Sequence, residues 1–191
     1  MAHVTILGKG NMGQAIAGLV EKGGNTVQLL GSKDVDQPVS GEIVVLAVYY
    51  PALREVLAQR ADQLAGKVVV DITNPVNMET FDGLVVPTDS SATAELTAAL
   101  PSSQVIKAFN TNFAATLASG SVGGQPTTVL VAGDDADAKA RLTEVIIAGG
   151  LRTVDAGSLR RARELEAVGF LQMTLAAGEK ISWTGGFAVQ N

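Results

Sequence analysis

Three glycines follow directly on a short apolar segment near the start of the chain, at Gly8, Gly10 and Gly13. In a loop between a strand and a helix, this spacing is typical of pyrophosphate binding. The first glycine permits a tight turn, the second lets the backbone approach the phosphates, and the third lets helix and strand pack closely. The helix that begins near Met12 adds free N–H groups and a partial positive charge. The pattern therefore predicts a dinucleotide-binding loop, and the alternative is a glycine-rich turn without a ligand.

The residues after the second apolar segment indicate which dinucleotide is bound. Enzymes that use NAD place Asp or Glu here, to accept hydrogen bonds from the ribose hydroxyls. This chain has Ser32 and Lys33 instead, and Lys9 in the glycine loop adds a second cation. A hydroxyl and ammonium groups suit a 2′-phosphate, so the sequence favours NADP(H). Asp34 or Asp36 could still reach the ribose and favour NAD.

Candidates for acid–base chemistry are few. The single histidine, His3, precedes the first strand at the end away from a ligand crevice, which indicates a structural role. Lys107 lies within a strand segment and is expected to be a satisfied or snorkelling lysine. Asp71 and Asp155 suit turns or helix caps. Tyr50 is the best candidate for stacking on or hydrogen bonding to a substrate, with core packing as an equal alternative, and the catalytic residues stay unassigned.

The elements that must position these residues alternate along the chain. Segments rich in β-branched residues predict strands at 4–7, 27–30, 43–48, 67–72, 105–109, 128–132 and 151–154. Segments with helical spacing lie between most of them, at 12–22, 52–64, 92–100 and 136–148. This alternation predicts an α/β fold with a doubly wound, mostly parallel sheet. Ligands then bind outside the carboxyl ends of the strands.

One connection is too short for the usual crossover. Eleven residues, 32–42, separate the second strand segment from the third. The chain must travel about 20 Å along the sheet and about 10 Å across it. Eleven residues reach roughly 36 Å when extended but about 16 Å as a helix. We therefore expect an extended link, and a sheet trimmed at the edge where a third strand and its helix would stand.

The C-terminal part has a different pattern. Residues 159–180 predict one long helix, charged at first and nearly all apolar from 167 to 177. A helix that is apolar on all sides must be covered on more than one side, by a second subunit or, alternatively, by its own chain. We expect a dinucleotide-binding domain at 1–156 and a C-terminal helical segment with a tail at 157–191. Trp183 and Phe187 in the tail could line either a cleft or an interface.

Composition excludes several function classes. The chain has 191 residues, no cysteine and a net charge of −5. The acidic balance argues against nucleic-acid binding. The lack of cysteine fits a reducing compartment, so we expect a cytoplasmic protein without a membrane segment. No Asp, Glu or His grouping has the spacing of metal ligands, and no metal site is expected.

Together, these motifs resemble the NADP-dependent oxidoreductase family typified by the reductase of the deazaflavin coenzyme F-420, including its shorter bacterial members. The order and spacing of several motifs carry the resemblance: GKGNMG, GSKD, VVVDITNP, DSSATAELTAALP followed by VIKAFNT, VAGDD, and VDAGSLRRARELE. The resemblance implies a Rossmann-type domain, an NADP site on the first loop and a small C-terminal helical part. It also implies a homodimer, which we expect to form through the C-terminal helix, with hydride exchange in a cleft.

The resemblance also implies roles for individual positions. The pyrophosphate would lie on Gly8, Gly10, Asn11, Met12 and Gly13, and the 2′-phosphate on Ser32 and Lys33. The ribose and nicotinamide would lie beside Ala47, Val48 and Tyr49 and near Thr73, Asn74 and Pro75, with Phe109, Asn110 and Thr111 facing the same crevice. The chain departs from the family at Tyr49, where proline is frequent, and at Lys9, where threonine is frequent.

The expected function is an NADP(H)-dependent oxidoreductase that transfers hydride between NADPH and a small-molecule acceptor. The acceptor would be flavin-like, deazaflavin-like or another conjugated molecule, because hydride transfer to such a ring needs proximity and orientation more than a dedicated acid. Two alternatives stay open. One is a non-catalytic NADP(H)-binding module that senses the redox state, and the other is a small imine or carbonyl reductase.

Overall fold

A computed structural model describes residues 1–190. Its strands are β1 (His3–Leu7), β2 (Thr26–Leu30), β3 (Ile43–Leu46), β4 (Val68–Asp71), β5 (Gln104–Lys107), β6 (Ser121–Val122), β7 (Gln125–Pro126), β8 (Thr128–Gly133) and β9 (Arg152–Gly157). Its helices are α1 (Asn11–Lys22), α2 (Leu53–Leu64), α3 (Ala92–Ala99), α4 (Ala114–Ser119), α5 (Ala136–Ala148) and α6 (Ala162–Ala177). Short 3-10 turns at Tyr50–Ala52 and Leu159–Arg161 precede α2 and α6.

Seven strands form one sheet in the order β2-β1-β3-β4-β5-β8-β9. All neighbours are parallel except β5 and β8. Every residue of β3 and β4 is buried, because helices cover both faces of the sheet. One face packs on α1, α4 and α5 through residues such as Ile16, Leu117 and Ile146, and the other packs on α2 and α3 through Leu64 and Leu96. The predicted doubly wound α/β fold is confirmed.

The short connection between β2 and β3 has the expected effect on the edge of the sheet. Within residues 1–190, β2 pairs in the sheet with β1 alone, and β3 lies on the other side of β1. The link of residues 32–42 contains turns and extended backbone but neither a helix nor a strand. Its later part is tied to α2, where the Gln63 side chain accepts a hydrogen bond from the Val39 N–H at 2.8 Å. The chain therefore crosses directly to β3.

The sequence did not predict the region between β5 and β8. Helix α4 has six residues and the β6–β7 hairpin has two-residue strands, too short to show a periodic pattern. This connection leaves β5 at its carboxyl end and enters β8 at the same end of the sheet. As a result β8 runs antiparallel to β5, with Lys107 opposite Ala132.

Helix α6 is shorter than predicted. It begins after the 3-10 turn and ends before Gly178, rather than spanning 159–180. Its inner face includes Gly169 and Ala176, whereas Val168 and Leu171 on the outer face are 36% and 51% exposed. The chain itself therefore covers one side of the helix. Across residues 1–190, no helix combines the length and apolar character that crossing a membrane requires.

Candidate functional site

The glycine loop is shaped as the sequence predicts, between β1 and α1. A Cβ added at Gly8, where φ is +124°, would lie 2.0 Å from the Ala47 carbonyl oxygen. A Cβ at Gly13 would lie 1.9 Å from the Gly8 carbonyl oxygen. At Gly10, by contrast, a Cβ would meet nothing within 4 Å. The first and third glycines are thus required for packing, and the second leaves open space at the surface where a pyrophosphate would lie.

The start of α1 faces this open space. Gly10 is the N-cap residue in extended conformation, and no side chain caps the helix among the described residues. The first intrahelical bond in this turn runs from the Gln14 N–H to the Gly10 carbonyl at 2.9 Å. The N–H groups before it, beginning at the exposed Asn11, remain available to an anion. With the glycine cradle, this geometry fits the diphosphate of a dinucleotide.

The predicted 2′-phosphate corner lies at the carboxyl end of β2. Ser32 and Lys33 are both exposed there. The Lys9 ammonium reaches the same corner, but it forms an ion pair with Asp34, at 2.7 Å from Nζ to Oδ2. The same carboxylate oxygen accepts a hydrogen bond from the Gly31 N–H at 2.7 Å. The Lys9 ammonium and the Gly31 N–H hold the pKa of Asp34 below its usual range.

A buried arginine of α2 holds the backbone of this corner. Arg60 is 6% exposed, and its guanidinium donates to the Asp34 carbonyl at 2.6 Å and to the Gln37 carbonyl at 2.8 Å. Arg60 therefore fixes the turn that presents Ser32 and Lys33. Sequence reasoning missed this residue, because an arginine within a polar helix gives no sign that it points inward.

The carboxyl end of β3 lies beside the glycine loop. The Ala47 N–H donates to the Leu7 carbonyl at 2.8 Å, which places Ala47 against the glycine loop. Val48 is half-buried and Tyr49 is 77% exposed. These three predicted residues therefore lie beside the loop, with the Tyr49 ring open to solvent.

Two further predicted segments meet at the carboxyl ends of β4 and β5. The Asn74 Nδ2 donates to the Asn110 carbonyl at 2.9 Å, and the Asn110 Nδ2 donates to the Asn74 Oδ1 at 2.9 Å. Phe109 has a φ of +62°, and the Asn110 N–H closes a γ-turn on the Ala108 carbonyl at 2.8 Å. This turn is a strained conformation for a buried phenylalanine. It brings Asn110 and Thr111 to the Thr73–Asn74–Pro75 segment.

Helix α6 packs on the two asparagines. The Asn110 Nδ2 also donates to the Leu165 carbonyl at 2.8 Å. A Cβ at Gly169 would lie 2.5 Å from the Asn74 Oδ1 and 2.8 Å from the Asn110 carbonyl oxygen, so only glycine allows this approach. The C-terminal tail follows the helix back to the same region, where the Trp183 ring lies 4.9 Å from the Phe113 ring between centroids. The C-terminal part thus packs against the segments that follow β4 and β5.

A buried charged network lies beneath this region. The Lys107 ammonium is 2.9 Å from the Glu166 Oε1 and 3.0 Å from the Asp71 Oδ2, and it donates to the Thr73 carbonyl. Burial raises the pKa of Glu166, against the attraction of Lys107. Glu166 also accepts a hydrogen bond from the Ala92 N–H at 3.0 Å. The network therefore joins β4, β5, α3 and α6.

Only part of this network was expected from the sequence. Lys107 is buried with its ammonium fully paired, which is one of the two alternatives that the sequence predicts. Asp71 does serve a turn, since its Oδ1 accepts the Thr73 N–H at 2.8 Å, and it is an ion-pair partner as well. Glu166 was not singled out, because an acidic residue near the start of a helix is ordinarily exposed.

Tyr50 directly follows Tyr49, whereas His3 lies at the opposite end of the sheet. The Tyr50 hydroxyl donates to the Glu95 Oε2 at 2.7 Å, and burial together with this carboxylate raises the pKa of Tyr50 to about 12. Tyr50 lines a groove of about 370 Å³ between α2 and α3. The His3 ring contacts the Thr26 and Ser40 hydroxyls at 2.7 Å and 2.8 Å, at the amino end of the sheet. The two contacts of His3 fit the expected structural role, and the role of Tyr50 in substrate binding stays a prediction.

Comparisons with known proteins bear on this site. A family model described as NADP oxidoreductase, coenzyme F420-dependent, matches residues 32–75, which include Ser32 and Lys33 and the Thr73–Asn74–Pro75 segment. The predicted family resemblance is confirmed. The F420-dependent NADP reductase of Methanocaldococcus jannaschii is 26% identical over 171 residues, covering 87% of this chain and 76% of the relative.

Two further proteins are similar to this chain. The metalloreductase STEAP3 of Rattus norvegicus is 38% identical over 130 residues, covering 68% of this chain. This chain spans only 25% of the length of that relative. A crystal structure of a candidate F420-dependent NADP reductase from Arthrobacter sp. FB24 matches with a TM-score of 0.86 and 23% identity, covering 100% of both chains, and shows the fold. The sequence comparisons are thus all to reductases or oxidoreductases, and the family model and the Methanocaldococcus relative are both described as using NADP.

Proposed function

We propose that this chain binds NADP(H) on its glycine loop and transfers hydride between NADPH and a flavin-like, deazaflavin-like or other conjugated acceptor. The observation that carries the proposal is the shape of the loop. Gly8 and Gly13 pack where a Cβ would collide with backbone, while Gly10 opens onto the uncapped start of α1. This combination serves a diphosphate and is unnecessary for a simple turn.

Each part of the crevice then has a role. The backbone from Gly8 to Gly13, with Asn11 and Met12, holds the pyrophosphate. The 2′-phosphate lies on Ser32, Lys33 and Lys9, whose hydroxyl and ammonium groups suit its charge. The ribose and nicotinamide lie beside Ala47, Val48, Tyr49, Thr73, Asn74 and Pro75, and the acceptor lies beyond them, toward Phe109, Asn110 and Thr111.

The chemistry of the crevice favours a conjugated acceptor. When bound, the nicotinamide supplies a hydride. The side chains that meet at the carboxyl ends of β4 and β5 are amides and hydroxyls, as at Asn74, Asn110 and Thr111. The carboxylates and the ammonium nearest to them are buried in the Lys107 network and paired with one another. The protein therefore orients the reactants, and a flavin-like ring accepts hydride without a dedicated protein acid.

We also propose that two copies associate through the outer face of α6. Val168 and Leu171 on that face are exposed apolar side chains, and the face adjoins the side of the helix that packs on the crevice. Sedimentation equilibrium tests this assembly directly. A mass of two chains supports the dimer, and a mass of one chain at working concentration refutes it. The expected cytoplasmic location stays a prediction of the sequence.

An acceptor screen tests the catalytic proposal. NADPH oxidation is followed with deazaflavin, FMN, FAD, quinones, a ferric chelate with FMN, and a panel of imines and carbonyls. Turnover with a flavin-like or quinone acceptor supports the proposal. Turnover only with imines or carbonyls indicates the small reductase, and tight NADPH binding without any turnover indicates the redox-sensing module.

Charge reversal at Lys33 tests the cofactor assignment. Lys33 is exposed at the 2′-phosphate corner, so Lys33→Glu is expected to leave the fold intact and weaken NADPH binding by about 10-fold or more, as a close like charge does. NADH binding should change little. Arg141→Glu is the control, because Arg141 is an exposed cation on α5. If the preference for NADPH over NADH survives Lys33→Glu unchanged, the 2′-phosphate site lies elsewhere.

A further inference from the structure

The 2′-phosphate corner contains a carboxylate as well as its cations. Asp34 directly follows Ser32 and Lys33, and its Oδ2 lies 2.7 Å from the Lys9 Nζ. The Lys9 side chain is 49% exposed and the Asp34 side chain is 19% exposed. The pair therefore lies at the surface, within reach of an incoming anion.

The carboxylate is held more firmly than the ammonium. The Asp34 carboxylate accepts a hydrogen bond from the Gly31 N–H at 2.7 Å, and the Asp34 carbonyl accepts one from the Arg60 guanidinium at 2.6 Å. Among the described residues, the polar contact of the Lys9 side chain is its ion pair with Asp34, at the end of a flexible four-carbon chain. When an anion enters the corner, Lys9 is the member of the pair that can change partners.

Lys9 and Asp34 are also packed over the end of β2. A Cβ at Gly31 would lie 3.2 Å from the Lys9 Cδ and 3.5 Å from the Asp34 Oδ2. The Lys9 chain and the Asp34 carboxylate therefore share the space beside Gly31, next to Ser32 and Lys33. A phosphate that forms an ion pair with the Lys9 ammonium here must lie near the Asp34 carboxylate.

We infer that Asp34 competes with the 2′-phosphate for Lys9 and so weakens the binding of NADP(H). This inference rests on the proposed NADP(H) site. In the free protein Lys9 is paired with Asp34, and in the complex it moves to the phosphate. Asp34 then keeps its hydrogen bond with the Gly31 N–H and repels the phosphate. Its position in the chain suggests an NAD determinant, but its contacts make it an internal anion that lowers the affinity for the phosphorylated nucleotide.

Calorimetric titrations of NADPH and NADH into the wild type and Asp34→Asn test this inference. Asparagine keeps an acceptor for the Gly31 N–H and removes the charge. We expect NADPH to bind about 10-fold more tightly to the variant, because Lys9 is free to bind the phosphate and the nearby negative charge is gone, with NADH nearly unchanged. The control is Asp36→Asn, which removes the same charge from an exposed residue two positions further along. It should change the NADPH affinity less than about twofold, because exposed charges are screened.

A second variant tests whether Asp34 acts through Lys9. In a Lys9→Gln background, Asp34→Asn should tighten NADPH binding by less than about threefold, because no ammonium remains to be released and only screened repulsion is left. An undiminished gain in that background overturns the competition for Lys9.

The remaining outcomes separate the inference from the proposed function. If NADPH binds the wild type but Asp34→Asn leaves its affinity unchanged or weaker, the inference fails while the NADP(H) site stands. If Asp34→Asn weakens NADH, Asp34 is a ribose ligand and the inference fails as well. If neither nucleotide binds the wild type, the proposed function itself fails.

Discussion

Replacing Lys107 by methionine tests the buried network most severely. The Lys107 and Asp71 side chains are 0% exposed and that of Glu166 is 1% exposed. Methionine fills the space of the lysine stem but leaves two buried carboxylates without their cation. Removing one partner of a buried ion pair costs about 3–5 kcal/mol. The stability of a whole domain is only about 5–15 kcal/mol, so Lys107→Met is expected to be strongly destabilised.

Thermal unfolding followed by circular dichroism measures this loss. For a chain of this size, 1 kcal/mol corresponds to about 2–4 °C in Tm, so Lys107→Met should lower Tm by about 6–20 °C. Adding Glu166→Gln removes one of the two facing charges and should recover part of that loss. Lys67→Met is the control, since the Lys67 ammonium donates to the Gly41 carbonyl at 2.7 Å, at a half-buried site. It should cost only about 1 kcal/mol.

The loss should also depend on pH. Without Lys107, the two buried carboxylates repel each other, so protonation of Glu166 relieves the repulsion and the loss is smaller in acid. In the wild type, the raised pKa of Glu166 makes the folded state bind a proton more readily than the unfolded state. Proton binding by Glu166 therefore stabilises the folded state fully below the ordinary pKa of a glutamate, and this stabilisation is lost as pH rises through the raised pKa of the folded state. A loss below about 1 kcal/mol, or one that is independent of pH, would refute this account of the network.

Two glycine substitutions test the close approaches in the site. Gly13→Ala places a methyl 1.9 Å from the Gly8 carbonyl oxygen and should abolish NADPH binding in calorimetry. The control is Gly18→Ala on the same helix, whose methyl meets no described atom within 4 Å and should stabilise the protein by about 0.5–1 kcal/mol. Normal NADPH binding by Gly13→Ala would contradict the packing role of Gly13. Gly169→Ala places a methyl 2.5 Å from the Asn74 Oδ1 and should cost about 1–3 kcal/mol in urea unfolding. An unchanged unfolding midpoint would show that α6 does not depend on this contact.

The parts of the fold that follow local rules were predictable. The glycine loop, the main strands and most helices follow from spacing and periodicity, and the short link at 32–42 follows from the reach of the chain. The antiparallel β8 was not predictable, because its direction depends on the end of the sheet at which a twenty-residue connection returns. The start of α6 differs because the three residues before it form a 3-10 turn.

Part of the candidate site was predictable, because the carboxyl ends of neighbouring parallel strands lie at the same edge of a sheet. That rule brings Asn74 and Asn110 together although they are 36 positions apart. Pairing of side chains follows no such rule. Lys107 meets Glu166 across 59 positions, and Lys9 meets Asp34, only because the tertiary fold places them in contact. Sequence reasoning therefore identified these lysines without identifying their partners.

The central claim is that the glycine loop binds a pyridine dinucleotide that carries a 2′-phosphate. Calorimetric titration of NADPH and NADH into the wild-type protein tests it most directly. Saturable binding of NADPH at one site per chain, tighter than the binding of NADH, is the predicted result. No heat with either nucleotide, at concentrations where the folded protein is verified by circular dichroism, would contradict the claim.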